Sequence, residues 1–208
     1  MTGHSESGRS LSGRSLSGHS LSGHSLSGHS LWRNLFHFSG IVIPLACLTL
    51  GRGAALTLNG LLLFAAVIVE TLRITGRLRL SFVQKHIKEG EKKGPTGSFY
   101  FLLGSLLTLL LFDQHIAIPV IMVLAVSDPL ASLVGRTLAR TRFLGKSLEG
   151  TSAFFLSSAT ILAFFSFGVL CVLLVALVMT AAELFTRKPL DDNLTIPLAG
   201  GLALWLIV

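Results

Sequence analysis

The fold is decided by the apolar stretch at residues 116–133, which reads IAIPVIMVLAVSDPLASL. Its one charged residue is Asp128, directly before Pro129. A carboxylate at bilayer depth costs at least ~2.5 kcal/mol, so an acid inside such a stretch predicts a functional site. Proline removes a backbone N–H and bends or ends a helix, and a helix broken near the membrane face opens a cavity for a polar ligand. The alternative is a helix N-cap formed by Asp128.

Similar apolar stretches recur along the chain, which is 51% hydrophobic with a mean hydropathy of +0.73. Because lipid tolerates no unpaired backbone polar group and the stretches are too long for barrel strands, we expect helices. The sequence therefore predicts an all-α, polytopic integral membrane protein with about seven transmembrane helices. The predicted spans are 35–50, 54–72, 98–112, 116–133, 152–167, 169–185 and 194–208.

The basic residues predict the orientation of these helices. With a cytoplasmic N-terminus, every lysine and arginine except Arg52 falls on the cytoplasmic side, as the positive-inside rule requires. We therefore expect the site on the cytoplasmic face of a prokaryotic plasma membrane. The net charge of +7 then indicates loops that face anionic lipids or nucleotides, and no nucleic acid partner is expected.

Residues 1–31 form a region of different composition. The pentapeptide Ser-Gly-Arg/His-Ser-Leu repeats in tandem from Ser7 to Leu31. A segment with so few apolar residues cannot offset its ordering entropy, so we predict a disordered tail, followed by a transmembrane catalytic domain at 32–208. A histidine tract of this kind also allows metal binding without a defined site. Cys47 and Cys171 lie in predicted spans and indicate neither a disulfide nor a metal.

A second motif, GKSLEG, occupies residues 145–150. It looks like the end of a Walker A loop, but Arg140 stands where the first glycine is needed and the setting is a loop between membrane helices. Its glycines still allow backbone amides to approach phosphate oxygens, and Lys146 supplies a positive charge. A basic loop that faces lipid headgroups is the alternative.

Acidic residues form a third motif around the last two spans. Glu183 ends one apolar stretch, and Asp191, Asp192 and Asn193 precede the next. Neighbouring carboxylates repel each other unless a cation lies between them, so the pattern predicts Mg²⁺ bridged to phosphates. Helix capping is the alternative for the aspartates.

Further polar residues are expected to support the site. Glu70 and Arg73 share a helix face and predict an ion pair, and the same spacing argument groups Arg33 with His37. A glycine-rich turn with two lysines before it leads into the third span. Its candidate residues are Lys92, Lys93, Gly97 and Tyr100.

Taken in order, these motifs resemble the membrane lipid-alcohol kinases, the family that includes dolichol kinase, phytol kinase and CTP-dependent diacylglycerol kinase. The resemblance extends from Arg33 to the C-terminus, and DDNLTIP at 191–197 is its most specific segment. The sequence departs from the pattern at Asn34, Ser127 and Ala139, where a basic residue and two glycines are common. The motifs are RNLFH at 33–37, ETLR at 70–73, GPTGSFY at 94–100, SDPLASLVGR at 127–136, GKSLEG at 145–150 and DDNLTIP at 191–197.

The resemblance implies transfer of the γ-phosphoryl group of CTP, or of another nucleoside triphosphate, to a lipid alcohol such as a polyprenol, phytol or diacylglycerol. Mg²⁺ is the implied cofactor, and Asp128 is implied as general base or metal ligand. The implied catalytic residues are Asp128, Lys146 and Glu149. The implied nucleotide- and phosphate-binding residues are Arg136, Gly135, Ser147, Gly150, Lys92, Lys93 and Gly97. The implied metal ligands are Asp128, Glu183, Asp191, Asp192 and Asn193.

Two other functions remain open at this stage. Phosphatidate cytidylyltransferases look similar around Asp128 and Lys146, but their closing Pro-Gly-His-Gly-Gly segment is missing here. Such an enzyme attacks the α-phosphate and releases pyrophosphate. A small ion or solute transporter would use Asp128 and Pro129 as an ion site in a broken helix. It should show internal repeats, and the two halves of this sequence show none.

Overall fold

The computed structural model describes residues 28–77, 94–186 and 190–208, with residues 28–33 described by their backbone alone. Within this part of the chain the structure is mostly helical. A two-residue antiparallel hairpin, β1 (Arg142–Phe143) and β2 (Lys146–Ser147), is inserted between the fifth and sixth helices. The helices are α1 (Gly28–Ser39), α2 (Val42–Leu50), α3 (Arg52–Ile74), α4 (Gly97–Leu111), α5 (Gln114–Thr137), α6 (Leu148–Ala163), α7 (Val169–Phe185) and α8 (Asp192–Ile207).

Every predicted span coincides with a helix, so the helical prediction is confirmed. The first span is divided into α1 and α2. Two helices, α3 with 23 residues and α5 with 24 residues, are long and apolar enough to cross a membrane. The other helices have 9 to 17 residues, fewer than the ~20 that a straight spanning helix needs. By length and composition, the described residues therefore contain two candidate membrane spans where the sequence predicted seven.

Helix α5 lies at the centre of the bundle. It contacts α1, α2, α4, α6 and α8, and 67% of its apolar window is buried, against 17% for α3. The outer surfaces of the other helices carry large exposed apolar side chains such as Phe64, Phe164 and Trp205. The bundle therefore packs around one apolar central helix and is itself apolar on its outside.

Asp128 and Pro129 lie inside α5, which continues for eight residues beyond Pro129 to Thr137. The predicted break is therefore absent, and Asp128 is not an N-cap. Asn34 of α1 donates a hydrogen bond from Nδ2 to the Pro129 carbonyl oxygen at 3.3 Å. Pro129 itself leaves the Ala125 carbonyl oxygen without its usual helix partner. The Asn34 contact lies one turn further along and holds α1 against this part of α5.

The helices beside the hairpin begin at side-chain caps. Ser147 Oγ accepts a hydrogen bond from the Gly150 N–H at 3.0 Å at the start of α6, and Asp191 Oδ1 accepts one from the Asn193 N–H at 3.1 Å at the start of α8. Such caps satisfy N–H groups that a helix leaves unpaired at its first turn. The hairpin turn at Leu144 and Gly145 has positive φ angles of 52° and 88°, as a tight two-residue turn requires. These caps and this turn fix the loop that carries Lys146.

Candidate functional site

A cavity of about 290 Å³ lies where the C-terminal half of α5 meets the hairpin and the ends of α6, α7 and α8. Five elements contribute to its wall, so the cavity depends on the packing of the bundle and not on one segment. Its lining residues are Asp128, Ala131, Ser132, Gly135, Arg136, Arg142, Gly145, Lys146, Ser147, Gly150, Thr151, Glu183 and Asp192.

One wall of the cavity is formed by a close crossing of α5 and α6 at Gly135 and Gly150. A Cβ atom on Gly150 would lie 2.8 Å from the Ala131 carbonyl oxygen and 3.2 Å from the Gly135 Cα. A Cβ atom on Gly135 would lie 2.6 Å from Ser147 Oγ. Because neither position has room for a side chain, the two glycines allow the N-terminus of α6 to lie directly against α5. Both glycines were predicted to approach phosphate, and the structure places them at this helix contact on the cavity wall.

Another part of the cavity wall carries an ionic cluster centred on Lys146. Its Nζ donates to Glu183 Oε1 at 2.5 Å, to the Glu183 carbonyl oxygen at 2.5 Å and to Asp192 Oδ2 at 3.2 Å. The side chain of Glu183 is 7% exposed, and those of Lys146 and Asp192 are 29% and 31% exposed. Burial by itself lowers the pKa of Lys146, but the carboxylates of Asp192 and Glu183 outweigh burial, and the net effect raises the pKa. Lys146 is therefore a firmly protonated cation held between two carboxylates.

Two polar atoms in the cavity wall are buried without a hydrogen-bond partner among the described residues. They are Oε2 of Glu183 and Oγ1 of Thr151. Buried polar groups in proteins are nearly always paired, so these two atoms, in residues that line the same cavity, distinguish Glu183 and Thr151 as candidate ligand contacts.

Positive charge also gathers at the cavity. Arg136, at the end of α5, donates from Nε to the Ser132 carbonyl oxygen at 3.0 Å, and Arg142 extends from the hairpin. The first turn of α6, a 16-residue helix, contributes Gly150 and Thr151 to the wall. Helix N-termini carry partial positive charge, which suits phosphate oxygens. The cavity therefore combines groups that attract anions with carboxylates that attract cations.

Asp128 lies on the part of the cavity wall that α5 forms, and its side chain faces α1. Its Oδ2 lies 3.4 Å from Nδ1 of His37, and the two side chains are 13% and 3% exposed. The sequence placed both residues near the site, and the structure brings them together although they are far apart in the chain. Asn34, on the same face of α1, contacts the next residue, Pro129.

The carboxylates of the cavity are suited to Mg²⁺ only together with ligand phosphates. Among the described residues, no three His, Cys, Asp or Glu side chains lie close enough to share a metal ion. Mg²⁺ is commonly held by one or two carboxylates and by substrate phosphates, with water in its other positions. Asp128, Glu183 and Asp192 provide such carboxylates at the cavity wall. Oε2 of Glu183, which has no partner in the described structure, is a fitting donor.

Several predicted residues do not line this cavity. Glu149 accepts hydrogen bonds at Oε1 from the backbone N–H groups of Arg140 and Thr141, at 3.0 and 3.3 Å. Its own backbone N–H and then that of Arg140 lower the pKa of Glu149. Its contacts thus hold the loop after α5. Asp191 receives hydrogen bonds from the backbone and side chain of Asn193, so the capping alternative describes these two contacts.

Glu70 and Arg73 form a separate cluster at the end of α3. Glu70 Oε2 accepts from Arg73 in an ion pair, and Oε1 accepts from the Thr96 N–H at 3.0 Å and from Thr96 Oγ1 at 2.6 Å. Arg73 also donates to the Gly94 carbonyl oxygen at 2.5 Å. The predicted ion pair is therefore present, and it ties the end of α3 to the turn before α4.

The remaining candidates fall outside the cavity or outside the described side chains. Gly97 opens α4, and the Tyr100 ring meets Phe99 edge-on at 5.6 Å between ring centroids. The predictions for Lys92 and Lys93 lie outside the described residues, and that for Arg33 concerns a side chain that the structure does not describe.

Two cavity residues were not predicted from the sequence. Arg142 was assigned only to the basic loop, and Thr151 was not singled out. The signal that could have identified Thr151 is its position four residues after the Ser147 cap, which places it at the start of α6 beside Gly150. Arg142 pairs with Ser147 across the hairpin, a register that becomes visible only in the fold.

The chain is similar to two curated proteins. It is 29% identical over 181 residues to the uncharacterized protein RP860 of Rickettsia prowazekii, a match that covers 80% of this chain and 89% of that protein. It is 38% identical over 112 residues to the uncharacterized protein MJ1137 of Methanocaldococcus jannaschii, covering 51% of this chain and 56% of that protein. No family model matches the chain, and no solved structure matches it. Similar sequences therefore occur in a bacterium and in an archaeon.

Proposed function

We propose that this chain is an integral membrane kinase that transfers the γ-phosphoryl group of CTP, or of another nucleoside triphosphate, to a lipid alcohol such as a polyprenol, phytol or diacylglycerol. The observation that carries the proposal is the cavity in which Arg136, Lys146 and the start of α6 face Asp128 and Glu183. Phosphoryl transfer requires the positioning and neutralisation of charge more than covalent chemistry, and these groups suit that task.

The apolar exterior supports a membrane location. In this proposal the shorter apolar helices are embedded in the membrane together with α3 and α5. The cavity then lies at the cytoplasmic face of a prokaryotic plasma membrane. Helices of 15 to 17 residues fit a bilayer that thins locally around them or lets flanking side chains reach the interface. Exposed apolar residues at helix ends, such as Phe164 and Val169, would then contact lipid.

The cavity residues divide into two roles in this proposal. Arg136 and Arg142 bind the phosphates. Lys146, whose three N–H donors contact Glu183 and Asp192, adds its positive charge, as does the start of α6. Asp128 accepts the proton of the attacking lipid hydroxyl, which enters sideways from the bilayer. Mg²⁺, held by Glu183 and Asp192 together with the phosphates, would neutralise charge on the transferring group.

The test is a transfer assay with the purified protein in detergent or lipid, Mg²⁺, and CTP or ATP labelled at the α or the γ position. The acceptors are a panel of lipid alcohols and phosphatidate. We expect γ label in a lipid monophosphate, and we expect Asp128→Asn to lower the rate of its formation by about 10²- to 10⁴-fold. Asp113→Asn is the matched control, because Asp113 pairs with Arg52 away from the cavity, at 3.5 Å, and is largely exposed.

Other products would overturn the proposal in specific ways. Label from the α position in a liponucleotide would make the chain a cytidylyltransferase. Absence of transfer to every acceptor, with ion or solute uptake into vesicles that Asp128→Asn abolishes, would make it a transporter.

A further inference from the structure

The proposed reaction leaves the contact between His37 and Asp128 without a role. His37 lies near the end of α1, and its side chain is 3% exposed. Its Nδ1 lies 3.4 Å from Oδ2 of Asp128, whose side chain is 13% exposed and lines the cavity. A buried polar ring that faces a carboxylate at the cavity wall sits where it can control the orientation of that carboxylate.

Helix α1 is held against α5 by a second polar contact on the same face. Asn34 precedes His37 by three residues, the spacing of one helix face. Asn34 Nδ2 donates to the Pro129 carbonyl oxygen at 3.3 Å. Two side chains of α1 therefore contact two successive residues of α5, His37 through the Asp128 side chain and Asn34 through the Pro129 backbone.

The imidazole ring is also fixed by packing. The His37 ring meets the Phe101 ring of α4 edge-on, with 5.4 Å between ring centroids and 66° between planes. The Phe101 ring in turn lies directly against Gly40, where a Cβ atom would overlap it. The ring of His37 is thus confined between α4 and α5, with its Nδ1 at 3.4 Å from Oδ2 of Asp128.

We infer that His37 is a positioning residue, which sets the orientation of the Asp128 carboxylate toward the reacting hydroxyl by a hydrogen bond from Nδ1 to Oδ2. The inference rests on the proposed function, because it concerns how Asp128 performs its part. An imidazole with its proton on Nδ1 donates to a carboxylate without removing its charge. The 3.4 Å separation is long for a hydrogen bond, and such contacts commonly shorten once substrate is bound.

The first experiment compares three substitutions of His37 in the transfer assay. Asparagine places its Nδ2 where His37 has Nδ1, glutamine places its donor further out, and phenylalanine keeps the ring without a donor. We expect His37→Phe to lower kcat by about 10- to 100-fold, the range for residues that orient a functional group, with the KM for nucleotide within about twofold. We expect His37→Asn to recover most of that loss and His37→Gln to recover less. Equal activity of His37→Phe and wild type overturns the inference, and so does equal loss in all three variants.

A double-mutant cycle tests whether His37 acts through Asp128. If it does, His37→Phe in an Asp128→Asn background should change the residual rate by less than about twofold, because interacting residues are non-additive. Independent effects of the two substitutions would overturn the inference. The melting temperature of each variant in detergent identifies any rate loss that comes from unfolding.

A spectroscopic measurement keeps the inference testable even if wild-type protein transfers no phosphoryl group, the result that defeats the proposed function. Nitrogen NMR of ¹⁵N-histidine protein, with His37 assigned by its loss in His37→Asn, reports on Nδ1. We expect Asp128→Asn to shift this resonance and Asp113→Asn to leave it in place. An unshifted resonance in Asp128→Asn would overturn the contact itself, whatever the reaction.

Discussion

Glu70 and Glu183 are both buried glutamates near the C-terminal end of an apolar helix, and each is paired with a basic side chain. They differ in how completely their oxygens are satisfied. Both oxygens of Glu70 accept hydrogen bonds, from Arg73 and from Thr96. Glu183 shares one oxygen with Lys146, and its Oε2 has no partner among the described residues. A buried charge alone therefore does not distinguish a structural ion pair from a ligand site, and the difference in how completely the two carboxylates are satisfied is what substitutions can test.

The largest expected effect is on activity, from Glu183→Gln. The amide cannot supply the second anionic oxygen, so we expect the transfer rate to fall by about 100-fold or more. Asp192 remains as a partner of Lys146, so we expect the melting temperature in detergent to fall much less than in Glu70→Gln. A Glu183→Gln variant with a lowered melting temperature and the wild-type transfer rate per folded molecule would contradict the difference between the two glutamates.

The same substitution at Glu70, whose two carboxylate oxygens both accept hydrogen bonds, should act on stability. It leaves Arg73, whose side chain is 7% exposed, without its carboxylate. Breaking a buried pair in this way costs about 3 kcal/mol, so we expect the melting temperature to fall by roughly 6–12 °C. The rate per folded molecule should stay within about twofold of wild type at low temperature. A loss of transfer rate at an unchanged melting temperature would instead assign Glu70 to the functional site.

Two threonines extend the same contrast to hydroxyl groups. Thr96 Oγ1 donates to Glu70 at 2.6 Å, so Thr96→Val should lower the free energy of unfolding by about 1 kcal/mol. Thr151 Oγ1 has no partner among the described residues, so Thr151→Val should leave stability unchanged or slightly raised. Its effect should appear as a rise in nucleotide KM of about 2- to 10-fold, the value of one lost hydrogen bond. Thermal melts and steady-state kinetics on both variants decide whether the contrast holds.

The smallest expected effect is the pH dependence that Lys146 contributes. Its pKa in the folded protein is raised by Asp192 and Glu183 above the unfolded value of about 10.4. The ion pairs of Lys146 therefore stabilise the fold fully below that unfolded pKa, and this contribution is lost as the pH rises through the folded pKa. We expect the stability difference between wild type and Lys146→Met to be constant from about pH 8 to 9.5 and to shrink above about pH 10.4. If the stability difference between the two proteins shrinks already between pH 6 and 8, a titrating group other than Lys146 causes the pH dependence.

The helices could be predicted from the sequence because apolar stretches of this kind have few alternatives in lipid. Their lengths could not, because a helix begins where a cap satisfies its first backbone N–H groups, as at Ser147 and Asp191. The continuity of α5 through Pro129 was also missed. Where α5 passes Pro129 it packs against α1, whose Asn34 lies 95 residues away in sequence.

The candidate site was predicted in part. Asp128, Lys146 and Glu183 come from three separate motifs, and the fold places them around one cavity. The sequence predicted Mg²⁺ as the cation between the acidic residues, and the structure shows Lys146 between Glu183 and Asp192. That contact could not be predicted, because it joins the hairpin to the ends of α7 and α8. The contact between the Glu149 carboxylate and the Arg140 N–H could not be predicted either.

The close crossing at Gly135 and Gly150 fixes a distance as well as a contact. Asp128 and Gly135 are seven residues apart on α5, which is two turns on one face and a rise of about 10.5 Å. Because Gly150 lies against Gly135 with no side chain between them, the start of α6 is held at a set height along α5 relative to Asp128. The central helix thus sets the spacing between the start of α6 and the Asp128 carboxylate. Under the proposed function, this spacing would be the same for acceptors of different tail length, because their tails would lie on the lipid-facing side.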